Sequence, residues 1–151
     1  MPPTPSPATQ LASFIAKFDP AVARLIRSSR AVMRKRLPTA RELVYDNYNF
    51  FVIGYSSSER ASDCVVSLAA AAKGVSLSFY YGASLPDPDG LLLGSGSQNR
   101  FVRLESASTL TTPAVERLIA AALAQAKVPM PASGRGELIV KSISGKQRAR
   151  R

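Results

Sequence analysis

Apolar positions along the chain change period twice, from helical spacing to alternation and back to helical spacing. Leu11, Phe14, Ile15 and Phe18 recur at helical intervals and predict a short helix over Gln10–Phe18. Asp19-Pro20 then reads as a helix start, with Asp as N-cap and Pro at the first helical position. In AVARLIRSSRAVMRKRL, Val22, Leu25, Ile26, Ser29, Val32 and Met33 share one face, while Arg24, Arg27, Arg30, Arg34 and Lys35 take the other. Pro38 ends that helix, which is expected near residues 20–36. A membrane-surface helix would look similar. A helix packed on a core with a solvated basic face is the better reading, because no Trp anchors the apolar side and Ser29 interrupts it.

Alternation takes over next. ELVYDNYNF and FVIGYS are rich in aromatic and β-branched residues, and Asn-Tyr-Asn between them is a turn candidate. DCVVSLAAA follows, bounded by Lys73-Gly74. VSLSFYYG sends Val75, Leu77, Phe79 and Tyr81 to one side and Ser76, Ser78 and Tyr80 to the other. RFVRLES alternates again. Thr112-Pro113 opens a last helix, expected near 113–127, whose stripe is Val115, Leu118, Ile119, Ala122, Leu123 and Ala126. GELIVKSIS supplies one more possible edge strand, at 137–143. Consecutive strands joined by short turns predict an α+β fold: an antiparallel sheet with N-terminal helices and a C-terminal helix on one face. The expected divisions are a disordered Pro-rich lead-in (1–9), one domain (10–128), and a C-terminal extension with a basic tail (129–151).

Composition narrows the chemistry. With 151 residues, 46% of them hydrophobic, the chain supports one core. Histidine is absent, which removes any mechanism using it as base, triad member or metal ligand. Cys64 is the only cysteine, so no intramolecular disulfide can form. The opening MPPTPSPATQ lacks the features of a secretory signal, and no run approaches the roughly 18 apolar residues of a membrane span. A cytoplasmic protein that does not engage membranes is the expectation. Net charge is +10, and half of it falls in residues 129–151, where Arg135, Lys141, Lys146, Arg148, Arg150 and Arg151 face Glu137 alone. Such a run is either a solubilising end or a polyanion contact.

Candidate sites are few. GSGSQN resembles a phosphate-cradling loop, but that role requires a helix to follow, and RFVRLES alternates as a strand. A hairpin turn is the better reading, with Gly94 and Gly96 free to take positive φ and Arg100 able to lean on the loop. Asp87 and Asp89 in PDPDG read as turn formers rather than metal ligands. Cys64 has no base to activate it and reads as a buried thiol. All five tyrosines fall between residues 45 and 81. Tyr45, Asp46, Asn47, Tyr48 and Tyr80, with Arg100, are the candidate ligand-binding residues, against the competing reading of ordinary sheet packing. Lys146, Arg148, Arg150 and Arg151 are the nucleic-acid candidates. No catalytic, cofactor or metal site is expected.

YDNYNFFVIGY, VSLSFYYGASLPDPDGLLLGSG and IVKSISGKQRARR together resemble the YdhG-like family of bacterial domains of unknown function, in its Tyr-Asp-Asn-Tyr-Asn branch. The resemblance spans about residues 10–145 and implies a frataxin-like α+β fold. The motif positions it marks are Glu42, Tyr45, Asp46, Asn47, Tyr48, Asn49, Gly82, Asp87, Gly94, Gly96 and Arg100. Ser97 and Ala149 depart from the family pattern, which typically has Lys and often Pro there. With no catalytic constellation in the residues, the expectation is a non-enzymatic binding domain of this type, a monomer or small homo-oligomer, for an unidentified ligand or protein partner. Two alternatives stand beside it. One is frataxin-like iron handling, which an arginine-rich second helix disfavours. The other is weak, sequence-independent nucleic-acid contact through the basic tail and helix.

Overall fold

The computed structural model describes residues 3–151; the first two residues of the expected lead-in lie outside it. The lead-in is shorter than its prolines suggest. Helix α1 (Pro7–Ile15) starts at the fourth of them, because Pro is tolerated at the first helical position and Ser6 accepts the Thr9 N–H at 3.2 Å as N-cap. Helix α2 (Pro20–Arg36) follows, with Ala23, Ile26, Ser29 and Met33 buried. Asp19 is its N-cap by position, but the carboxylate makes no capping bond.

Five strands come next: β1 (Arg41–Asp46), β2 (Phe51–Ser56), β3 (Cys64–Ala71), β4 (Gly74–Phe79) and β5 (Arg100–Leu104). Helix α3 (Pro113–Gln125) and strand β6 (Leu138–Ile143) complete the fold. The sheet order is β5-β4-β3-β2-β1-β6, with α1, α2 and α3 on one face. Val44, Ile53, Tyr55, Leu68, Leu77, Phe79 and Leu104 form the sheet side of the core, and Leu11, Phe14, Phe18, Ile26, Met33, Leu118 and Ile119 meet them from the helices. Val75, Leu77 and Phe79 point inward as the alternation predicts. Tyr81 does not, since β4 ends at Phe79 and the side chain is solvent-exposed.

The expectation of a wholly antiparallel sheet needs one correction. Strands β1 to β5 pair antiparallel, but β6 runs parallel to β1. After β5 the chain crosses the sheet through α3 and re-enters beside β1 at the end where β1 starts. A crossover through a helix is the connection that parallel pairing requires. Gly136 fixes the re-entry: its N–H donates to the Pro38 carbonyl at 3.1 Å, and a Cβ there would overlap the Ala40 carbonyl.

The glycine loop turns a hairpin. Leu93 and Phe101 exchange backbone hydrogen bonds at 2.8 and 3.0 Å, and Gly94 takes φ +111° between them while Gly96 stays outside the positive-φ region. The Arg100 guanidinium donates to the carbonyls of Gly96 and Asn99, so the loop presents oxygens rather than N–H groups. Asp87 accepts the N–H groups of Leu91 and Leu92, both at 2.9 Å, a turn-forming role.

Gly136→Ala should lower stability by about 1–3 kcal/mol, the range for forcing a methyl into filled space. Gly96→Ala, with open space around the added carbon, should unfold like the parent in urea. Equal stabilities for the two variants would mean that the re-entry segment is not held against Ala40.

Candidate functional site

Two carboxylates on β1 are buried on the helix-covered face, and each gathers cations, Asp46 from distant parts of the chain and Glu42 from the preceding helix α2. Asp46 is fully buried. Its carboxylate accepts from Lys17 Nζ, in the α1–α2 connection, and from Arg150 Nη2 at 2.9 Å. Arg150 also donates to the Asn47 carbonyl at 2.7 Å and lies 5.8 Å from the centre of the Phe18 ring. Burial alone would raise the Asp46 pKa, but the donors Lys17, Gln147 and Arg150 outweigh it and hold the group below its ordinary value.

Glu42 is the second hub, four residues earlier. It accepts a two-pronged contact from Arg30 at 3.0 and 2.9 Å and the Tyr55 hydroxyl at 3.0 Å, with Arg34 Nε at 3.7 Å. Arg30, assigned by periodicity to the solvated face of α2, is therefore half-buried. Burial would lower its pKa, and the bonded Glu42 carboxylate more than offsets this. Tyr55 is held well above its ordinary pKa, by burial first and by the Glu42 charge second.

Beside Glu42 a cleft of about 530 Å³ opens between the last turn of α2 and the segment leading into β6. Arg34 and Lys35 line it from α2 and Arg135 from the lead-in, over Leu37, Ala40, Glu42 and Tyr55. Lys35 and Arg135 form no ion pair among the described residues.

The candidate residues read from the sequence do not assemble into one surface. Pairing places Asp46 beside Phe51 and Ile143 at one end of the sheet, and Arg100 beside Phe79 at the other. Tyr45, Asp46, Asn47 and Tyr48 thus lie at the opposite end from Tyr80 and Arg100. Tyr45 faces away from the helices, and burial raises its pKa. Asn47 accepts the Ser142 hydroxyl at 2.6 Å, and Tyr48 carries Arg148 5.6 Å from its ring centre. Tyr80 lies against Tyr81 with ring centres 4.7 Å apart and the planes tilted by 58°.

The tail is not a free arm. The Arg148 N–H donates to the Tyr48 carbonyl at 2.9 Å, Arg150 is buried on Asp46, and Arg151 donates to the Lys17 carbonyl at 3.1 Å. Of the four nucleic-acid candidates, Lys146 alone makes no contact with a hydrogen-bond or ion-pair partner among the described residues. The cleft cations were visible in the sequence only as undifferentiated charge: Arg34 and Lys35 on a solvated helix face, Arg135 in the basic C-terminal count. No local pattern marks them as converging, because their meeting depends on the crossover to β6.

Among the described residues, no group of three or more His, Cys, Asp or Glu is placed to hold a metal, and no helix is long and apolar enough to cross a membrane. Cys64 is buried, and burial pushes its thiol up to about 11. Comparison with family models, curated proteins and solved structures finds no match to this chain.

Asp46 generates a pH prediction. Its folded pKa is depressed, so its contribution is fully present above the unfolded carboxylate value of roughly 3.9 and is lost as pH falls through the lower folded value. Asp46→Asn leaves Arg150 buried without its counter-charge and should cost about 3–5 kcal/mol at pH 7. Urea melts at pH 7 and pH 3 should show the gap between parent and variant shrinking at the lower pH. A gap that stays constant would mean that Asp46 carries no differential protonation.

Proposed function

We propose that the protein is a small non-enzymatic binding module of the YdhG-like type whose ligand is an oxyanion held in the α2–β6 cleft. The observation that carries this is the convergence of Arg34, Lys35 and Arg135 on one concave surface whose only acid, Glu42, is already bonded to Arg30 and Tyr55. Like charges gathered in this way repel, and an anion between them relieves the repulsion. Guanidinium groups also match the paired oxygens of phosphate and carboxylate. The volume lies within the roughly 300–1,000 Å³ typical of small-molecule sites. The non-enzymatic part rests on side-chain chemistry: there is no histidine, and burial keeps the one thiol in its unreactive form.

The iron alternative gains nothing from this arrangement. Glu42 and Asp46 are both occupied by cations, and the open cleft is positive. The nucleic-acid alternative shifts its ground from the tail to α2, whose Arg24 and Arg27 remain exposed without ion-pair partners among the described residues.

Calorimetric titration with inorganic pyrophosphate should show binding at a single site. The double variant Lys35→Ala/Arg135→Ala should weaken it at least tenfold, about 1.4 kcal/mol. Arg24→Ala/Arg27→Ala should leave it unchanged. If the second pair weakens binding as much as the first, the anion is held by the helix's general field and not by the cleft.

A further inference from the structure

We infer that a second cleft, at the C-terminal end of α3, binds a small molecule with an apolar body and a single anionic head. This does not rest on the reading of the α2–β6 cleft, and it uses none of the same residues. The space is about 520 Å³ and lies between the end of α3, the start of β3 and the chain following β4. Its floor is apolar: Val65, Phe79 and Ala122 are buried there, with Ala126 beside them. Val128 stands at the rim, 43% exposed, a branched apolar side chain left in water next to an apolar recess.

The walls are tied together by hydrogen bonds, so the recess exists without ligand. Tyr81 donates its hydroxyl to the Ser62 carbonyl at 3.0 Å, joining the chain after β4 to the turn before β3. Gln125 Nε2 donates to the Tyr81 carbonyl at 3.2 Å, and Ser84 Oγ donates to Gln125 Oε1 at 3.1 Å, joining α3 to the same segment. A preformed recess avoids the ordering cost that a flexible one would impose on binding.

Charge at the rim selects the head group. Arg60 and Lys127 line the cleft and form no ion pair among the described residues. Asp63 is the one acid there; it accepts the Ser58 hydroxyl at 2.7 Å and keeps its charge, so the lining is net +1. An apolar floor under two free cations fits an amphipathic carboxylate: the chain or ring displaces water from Val65, Phe79 and Ala122, and the head stays at the wet rim beside Lys127. Burial of that body supplies the affinity, and the cations supply the selectivity.

The test uses the full chain and three probes of equal length: decanoate, decanol and decylamine. Calorimetry should show one decanoate per protein, bound at least tenfold more tightly than either of the others. Ala126→Phe fills the recess and should abolish binding, with circular dichroism confirming that the variant is folded. Lys127→Ala, on the surface, should weaken decanoate several-fold and leave decanol unchanged; Arg135→Ala should leave all three unchanged. Amide shifts on adding decanoate should centre on Val65, Ala122 and Val128. The inference is overturned if decanoate does not bind below millimolar concentration, if the alcohol or amine binds as tightly, or if the shifts centre on the α2–β6 cleft.

Discussion

The carboxylate of Asp46 is the point on which both ends of the chain depend. It has no exposed surface, and its partners come from residue 17 and residue 150, separated by most of the sequence. A charge in that position is tolerated only because it is matched and hydrogen-bonded. Lys17 thereby fixes the joint between α1 and α2 against the sheet. Arg150 folds the last residues back over the β1–β2 turn, and Arg151 continues them onto the carbonyls of Ala16 and Lys17. The Tyr-Asp-Asn-Tyr-Asn turn and the basic C-terminus, which look like two separate motifs, are two halves of one contact.

Where the fold was legible, a single period decided it. The stripes of α2 and α3 and the alternation in β4 place their buried side chains as expected, because burial on one face imposes spacing on every residue of an element. Pairing direction carries no such mark. Nothing in ELIVKS distinguishes a strand added parallel to β1 from one added antiparallel to it, and the answer comes from where α3 delivers the chain. Periodicity also mistook Arg30 for a solvated side chain. Its position on α2 is lateral, and a long side chain there reaches Glu42, which a helical wheel of α2 alone does not contain.

The same limit explains the candidate site. Grouping tyrosines and amides by their closeness in sequence ignores which end of the sheet each strand places them at, and Tyr80 is divided from Tyr48 by the length of β4. The sequence divides the basic excess only into a helix face and a tail, whereas in the fold it serves three roles. Lys17, Arg30 and Arg150 neutralise buried carboxylates, Arg36 pairs with Glu116 at 2.6 Å, and Lys35 and Arg135 form no ion pair among the described residues. Lys35 and Arg135 at one cleft, like Arg60 and Lys127 at the other, are left available to a ligand, and only the fold sorts these from the rest.

That sorting has a spatial logic. Register aligns Glu42, Tyr55, Val66 and, across β3, Phe79 toward one end of the sheet, while Asp46, Phe51 and Ala70 mark the other. The Asp46 end is sealed by the returning C-terminus. Both clefts open at the Glu42 end, beside the last turns of α2 and α3. A helix must end somewhere on a sheet it covers, and the chain that leaves it exposes side chains the helix would otherwise bury. Each end therefore has a buried carboxylate hub, Asp46 at one and Glu42 at the other, but the clefts open only beside the second. Substitutions that loosen the Asp46 clamp act on folding, whereas changes to Lys35, Arg135, Lys127 or Arg60 remove charges that hold no part of the core together.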